Sequence, residues 1–572
     1  MKREGNSKKP SIAKPWLKYY DDSDIAEEVP QCSMYDYLYQ KNKDYMDQIS
    51  LDYFDREISF CELFENIQKT ARAYLALGVK AGDIVIVCAV TTPEIIYSFY
   101  ALDLIGATPN MVDPRTSPEG IHEYIEESRA KYVCVLSVAY PKIQEAVGGT
   151  EVGKIVVVSP ADSLAGIKRA AYQLTSRDKN VYSPLCISWN RFIEDGANTA
   201  LAIAPYSPAH CGAIVHTGGT TGTPKGVMLS DDAFNAIASQ YEKAVLKLIR
   251  KQKFLDIMPP FIAYGFACGV HMPLSNGLTV VVIPNLDPNK LGSLLRKYKP
   301  AHMCGVPAHY EVLVNDKHMR KADLSYLVNT GAGGDAITVG AEDDVNQFLK
   351  AHGCKFPLAK GYGMTECCSA TCNCMGDKNK RGSVGIPLVK TVISTFEPGT
   401  DREMDIGEKG EICITGPTNM LGYQGKPEET ANVLRTHSDG KVWVHTGDIG
   451  YVDEDGFVFI DNRIKRMIIR YDGFKVFPSM IENTVSMHPA VQSCSVVAKR
   501  DKTKPQGNLP YVFVVLKKDA QKSQKEVEAE IIQLCRDKLP EYAQPIGYRF
   551  CDSLFYTPIG KVDYQKLELE LV

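Results

Sequence analysis

Long apolar runs are missing from this 572-residue sequence, in which nothing approaches the roughly 18 apolar residues that a membrane span requires. A dominant charge is missing as well. The 65 basic and 69 acidic side chains leave a formal net charge of -4, so no global field draws the chain onto nucleic acid or an anionic membrane, and partners have to be recognised locally. Paired CxxC knuckles are absent, which bears on the one dense cysteine cluster, Cys367, Cys368, Cys372 and Cys374. Its CCxxxCxC spacing is not the one that shapes a tetrahedral metal site, so packed free thiols are expected there. The 17 cysteines are odd in number and spread along the chain without an export signal, which predicts reduced thiols. The N-terminal MKREGNSKKPSIAK is basic but lacks the apolar run of a signal peptide, so a solvated tail and a cytoplasmic location are expected.

What is present is ordinary globular composition, 44% apolar and 23% charged residues, enough to bury a large core. Asp83 to Val90 (DIVIVCAV) and Leu278 to Pro284 (LTVVVIP) are continuous apolar runs of strand length, fitting strands covered on both faces. Between such runs lie helical patterns such as Leu63 to Leu77, preceded by Ser59 and Glu62 as a start signal. The alternation predicts an α/β fold. Pro160 to Asn198 reads as an irregular surface insertion, and Gly440 to Ile460 as hairpin strands. The charged NRIKRMIIRYDG then breaks the pattern. A large N-terminal domain of α/β subdomains, residues 1–464, and a small mobile α+β C-terminal domain, residues 465–572, with a helix over Lys525 to Leu539, are the expected organisation.

The stretch His216 to Ser230, HTGGTTGTPKGVMLS, has the composition of a phosphate loop. Gly218, Gly219 and Gly222 free the backbone to turn N-H groups inward, Thr217, Thr220, Thr221 and Thr223 add hydroxyls, and Lys225 adds a positive charge. It is not a kinase-type P-loop, which requires GxxxxGK followed by Ser or Thr. Pro224 precedes the lysine and Gly226 follows it, Val227 to Leu229 continue as a strand-like run, and only Ser230 reads as the N-cap of a helix.

TGGTTGTPKG, GYGMTE at Gly361 to Glu366, HTGD at His445 to Asp448 and PIGKVD at Pro558 to Asp563 together strongly resemble the adenylate-forming (AMP-binding) superfamily, most of all its acyl-CoA synthetases and fatty-acid–CoA ligases. The motifs stand in that family's order and at its separations, and weaker similarity runs from about residue 30 to the end. The resemblance implies a two-step reaction in which a carboxylate attacks the α-phosphate of ATP, giving an acyl-adenylate and pyrophosphate, and a nucleophile then takes the acyl group. It implies that the loop, with Lys225, holds the β- and γ-phosphates; that Tyr362 packs on adenine; that Thr365 contacts the α-phosphate; and that Glu366 holds magnesium. It implies that Asp448 and Arg463 bond the ribose hydroxyls, that Lys465 is the hinge of the small domain, and that Lys561 meets the carboxylate and α-phosphate oxygens.

For the acceptor, coenzyme A is expected. The DSL triplets at Asp162 and Asp552 lack the glycines of a phosphopantetheine attachment site, and the chain runs only eleven residues past Lys561, which argues against an attached carrier domain. Gly218 in place of the Ser of many relatives resembles the fatty-acid ligases, and Gly473 falls where the family lines the pantetheine passage. Tyr264 in PPFIAYG, and Gly333 and Gly334 in GAGGD, match segments that flank the acyl group. Ile262 stands where many acyl-CoA ligases carry histidine, which suits an apolar acid. The alternatives are a freestanding ligase that loads a separate carrier protein, and a nucleotide-binding regulator without catalysis; Lys225, Glu366, Asp448 and Lys561 together argue against the second.

Overall fold

The computed structural model describes residues 8–571 except 176–179, 209, 218–223, 244–247, 464–465, 473, 502–503, 505–506, 519 and 558–560. Two mainly parallel sheets form its body. In the eight-stranded sheet, Ile84–Cys88 and Thr108–Val112 lie at the centre, and Cys211–His216 turns back antiparallel into Gly226–Ser230 across the phosphate loop. In the nine-stranded sheet, Lys253–Asp256 and Thr279–Val282 run parallel, and Ala359–Met364 pairs antiparallel with Ser369–Asn373. Central strands such as Ile84–Cys88 are buried on both faces, which is why they read as unbroken apolar runs.

Between the two sheets sits the largest core, built on aromatic contacts such as Phe99 stacked on Phe266. The buried imidazole of His271 is pinned between the Tyr100 hydroxyl at 2.9 Å and Asn235 Oδ1 at 3.0 Å, and burial holds it neutral, with its pKa pushed down to about 3. A five-stranded antiparallel sheet carries Val442–Val452 and Val458–Arg463. Beyond it a three-stranded sheet, Val491–Arg500, Asn508–Leu516 and Tyr548–Phe550, covers its own core against Pro478–Ser486 and Gln524–Lys538. The expected boundary, 464–465, lies outside the described residues.

Local signals place the helices. Ser59 accepts from the Glu62 N-H and starts Phe60–Leu77; Ser230 accepts from the Ala233 N-H and starts Asp231–Glu242. Two expectations change. Within Pro160 to Asn198, Cys186–Ser188 is the edge strand of the eight-stranded sheet and Trp189–Gly196 packs Phe192 on Tyr74 with ring centroids 4.9 Å apart. Three half-exposed residues carry no periodic signal, so the strand was invisible in the sequence. The tail is also docked from residue 8: the Ser11 N-H and hydroxyl both donate to Glu403, and Ile406 N-H donates to Lys8 O at 2.7 Å. All 17 cysteines are free, and the four clustered ones are buried, with burial pushing those four thiols up. No helix among the described residues is long and apolar enough to cross a membrane.

At Gly265, in the wide-turn helix Tyr264–His271, an added Cβ would stand 1.8 Å from Pro259 O. Gly265→Ala is therefore expected to lower stability by about 1–3 kcal/mol, measured by denaturant unfolding; an unchanged midpoint would show that this helix can shift aside.

Candidate active site

The strand Ala359–Met364 ends in a tight turn, Thr365–Cys367, that returns as Ser369–Asn373. Cys368 and Ser369 both take positive φ, 53° and 102°, which side-chain-bearing residues rarely adopt. The turn thereby lifts Thr365 and Glu366 out of the sheet. Glu366 is only 8% exposed, its Oε1 accepts from the Tyr423 hydroxyl at 2.7 Å, and its backbone O accepts from Met420 N-H at 2.8 Å.

Asp448 and Arg463 face each other across the hairpin of Val442–Val452 and Val458–Arg463, with Nε 2.9 Å from Oδ1. The Tyr362 hydroxyl donates to the other Asp448 oxygen at 2.5 Å. Burial raises the Asp448 carboxyl pKa, and the Arg463 charge and the Tyr362 bond oppose that rise. A carboxylate acceptor beside a forked donor and an aromatic ring is a set suited to a ribose and a base.

The turn that carries Asp448 is braced from below. Gly447, at φ 71°, donates its N-H to Glu411 Oε1 at 3.0 Å, and Glu411 Oε2 lies 3.0 Å from His445 Nδ1. His445 holds Glu411 below the usual carboxylate range against a burial that raises it. An ionised carboxylate can only accept, so His445 Nδ1 faces Glu411 as a donor, and its Nε2 lies 2.8 Å from His437 Nε2.

Lys561 comes from the small domain. A bridge between Tyr556 and Val562, with Thr557 N-H donating to Lys561 O at 2.7 Å, forms the narrow turn that carries it. The Val562 N-H donates to Asp335 Oδ2 at 2.9 Å. This docking brings Lys561 Cε to 4.0 Å from the point where a Cβ on Gly334 would stand. Lys561 keeps a face toward solvent, yet the surrounding protein desolvates it enough to lower its pKa; Asp335 and Glu366 pull the pKa up and Arg463 pushes it down. All three groups thus act on one ammonium. Tyr264 completes the wall: its hydroxyl donates to Gly305 O at 3.3 Å, and its ring edge is 3.8 Å from a Cβ placed on Gly333.

Lys225 closes the base of the phosphate loop. Its N-H donates to Thr217 Oγ1 at 3.2 Å and its O accepts from Thr217 N-H at 3.0 Å. The ammonium pairs with Glu429 and lies 4.8 Å above the Tyr423 ring. Gly218, Gly219, Thr220, Thr221, Gly222, Lys465 and Gly473 lie outside the described residues.

The model of the AMP-binding enzyme family matches residues 38–424, and that of the AMP-binding enzyme C-terminal domain matches residues 480–561. The chain belongs to the AMP-binding enzyme family. This AMP-binding enzyme is 30% identical over 565 residues to a long-chain-fatty-acid–CoA ligase of Bacillus subtilis (strain 168), covering 97% of each chain. It is also 30% identical over 511 residues to a probable 4-coumarate–CoA ligase 1 of Dictyostelium discoideum, covering 88% of this chain and 87% of that one. In fold it matches the crystal structure of the anthranilate CoA ligase AuaEII in complex with anthranoyl-AMP at a TM-score of 0.81 and 21% identity, over 95% of this chain and 98% of that one. It is an adenylate-forming acid–CoA ligase and works with ATP, Mg2+ and coenzyme A. The site fits the metal: a buried hard carboxylate oxygen at Glu366, beside the Thr365 hydroxyl, is the donor type Mg2+ takes when phosphates supply its other ligands.

Tyr423, Glu429, Asp335 and Glu411 escaped the sequence reading. Tyr423 and Glu429 stand in GYQGKPEET, where no apolar period or charge pattern separates a site residue from a helix start. Glu411→Gln is expected to raise the KM for ATP about tenfold, the scale of one charged hydrogen bond, with kcat changing less; an unchanged KM would mean that the HTGD turn holds without this brace.

Proposed function

We propose that this enzyme activates an apolar carboxylic acid of the fatty-acid class as its acyl-adenylate and passes the acyl group to the thiol of coenzyme A. The observation that carries the reading is the docking of the Lys561 turn on Asp335, which sets its ammonium within electrostatic reach of Glu366 and Arg463.

In the first step a carboxylate oxygen attacks the α-phosphorus and the bond to the β-phosphate bridging oxygen breaks, releasing pyrophosphate. The attack brings one anion onto another, so preorganised cations carry much of the acceleration. Lys561 disperses charge on the carboxylate and α-phosphate oxygens, and the Thr365 hydroxyl donates to the α-phosphate. Thr217, Gly218, Gly219, Thr220, Thr221 and Gly222, with Lys225, hold the phosphates that leave. Asp448 and Arg463 bind the ribose and Tyr362 the base. Glu366 would hold Mg2+, which neutralises charge on the departing pyrophosphate. In the second step the thiol adds to the acyl carbonyl and AMP leaves. For this the small domain, from residue 465 on, turns about Lys465 and brings Gly473 to the pantetheine passage.

The acid sits against Tyr264, Gly333, Gly334 and the half-buried Ile262, a wall without a charged side chain, and the fatty-acid ligase of Bacillus subtilis matches nearly end to end. The 4-coumarate ligases favour an aromatic acid as the second reading. Pyrophosphate release across straight-chain and hydroxycinnamic acids separates the two: faster release with straight chains is expected, and preference for the cinnamic acids would replace the fatty-acid reading. Lys561→Ala is expected to lower ATP–pyrophosphate exchange about a hundredfold or more while retaining thioester formation from supplied acyl-adenylate. Near-normal exchange would remove Lys561 from the mechanism.

A further inference from the structure

We propose that Tyr423 is a positioning residue of the adenylation step, setting Glu366 toward the metal and Lys225 toward the departing pyrophosphate at the same time. The inference rests on the roles given above to Glu366 and Lys225.

Those two residues belong to different sheets. Glu366 hangs from the turn after Ala359–Met364 in the nine-stranded sheet, and Lys225 precedes Gly226–Ser230 in the eight-stranded one. Tyr423 touches both. Its strand, Gly422–Tyr423, is the edge of the eight-stranded sheet, with Tyr423 paired to Val227 and Gly422 to Met228. Gln424 N-H donates to Gly226 O at 2.8 Å, and Tyr423 N-H donates to Thr430 Oγ1 at 2.9 Å, so the backbone on either side of the ring is fixed.

From that fixed point the side chain, 5% exposed, does two things. Its hydroxyl occupies Glu366 Oε1 at 2.7 Å, which fixes the carboxylate plane and leaves the second oxygen to a cation. Its ring lies under the Lys225 ammonium at 4.8 Å, an attraction that persists when the lysine exchanges Glu429 for phosphate oxygens.

The test is the Mg2+ dependence of ATP–pyrophosphate exchange and, without turnover, of ATP binding followed by calorimetry, in the full-length chain, for wild type, Y423F, E366Q and the double variant. Y423F keeps the ring and loses only the bond to Glu366. It is expected to raise the Mg2+ concentration for half-maximal exchange about 10- to 100-fold, the usual effect of losing a partner that orients a metal ligand, with the KM for the acid and thioester formation from supplied acyl-adenylate unchanged. In the E366Q background the same substitution should leave the Mg2+ requirement where E366Q puts it. Y423L, which also removes the ring, should in addition raise the KM for pyrophosphate in the reverse reaction. An unaltered Mg2+ requirement in Y423F, or an equal shift with and without Glu366, overturns the proposal. A normal Mg2+ requirement in E366Q overturns instead the metal role of Glu366 on which it stands.

Discussion

One backbone hydrogen bond, from Val562 N-H to Asp335, decides what the rest of the site can do. Lys561 stands beside the Tyr556–Val562 bridge of a domain with its own core, and no contact local in sequence could bring it to Glu366 or Arg463. The bond fixes the turn at its base, so the ammonium arrives already partly stripped of water, where its charge acts in a less polar medium. It is a part-buried hydrogen bond made by a domain with a separate core. Such a contact can be remade after rotation, as a two-step reaction on one set of elements requires.

The remaining groups are fixed by a common device, short antiparallel returns of the chain. Thr365 and Glu366 ride a turn with two side-chain-bearing residues at positive φ, Asp448 and Arg463 oppose each other across a hairpin, and Lys225 and Thr217 close a loop between two antiparallel strands. Parallel strands give the rigid body, and the reversals at its rim point the polar side chains into one cleft.

Much of this was legible in the sequence where the signal is local. Ser59 and Ser230 each accept from the N-H three residues on, so the two serines that read as helix starts stand at helix starts. The apolar runs of the central strands gave the α/β class for the same reason. The four motifs were readable because each packs several site residues into a few positions. What stayed hidden is what spans distance: Tyr423 reaches Glu366 across 57 residues, and Val562 reaches Asp335 across 227. The edge strand Cys186–Ser188 was hidden by brevity, and the docking of Ser11 on Glu403 by a separation of 392 residues.

The pairing of Lys225 with Glu429 has a thermodynamic consequence. If Lys225 takes the role proposed for it, it does not come to the nucleotide from bulk water but trades one anion for another. Its net gain on nucleotide capture is the difference between two anionic partners, and Glu429 stands ready to reclaim it when the anion departs. On the role proposed for Lys225, an incoming phosphate and Glu429 compete for one ammonium.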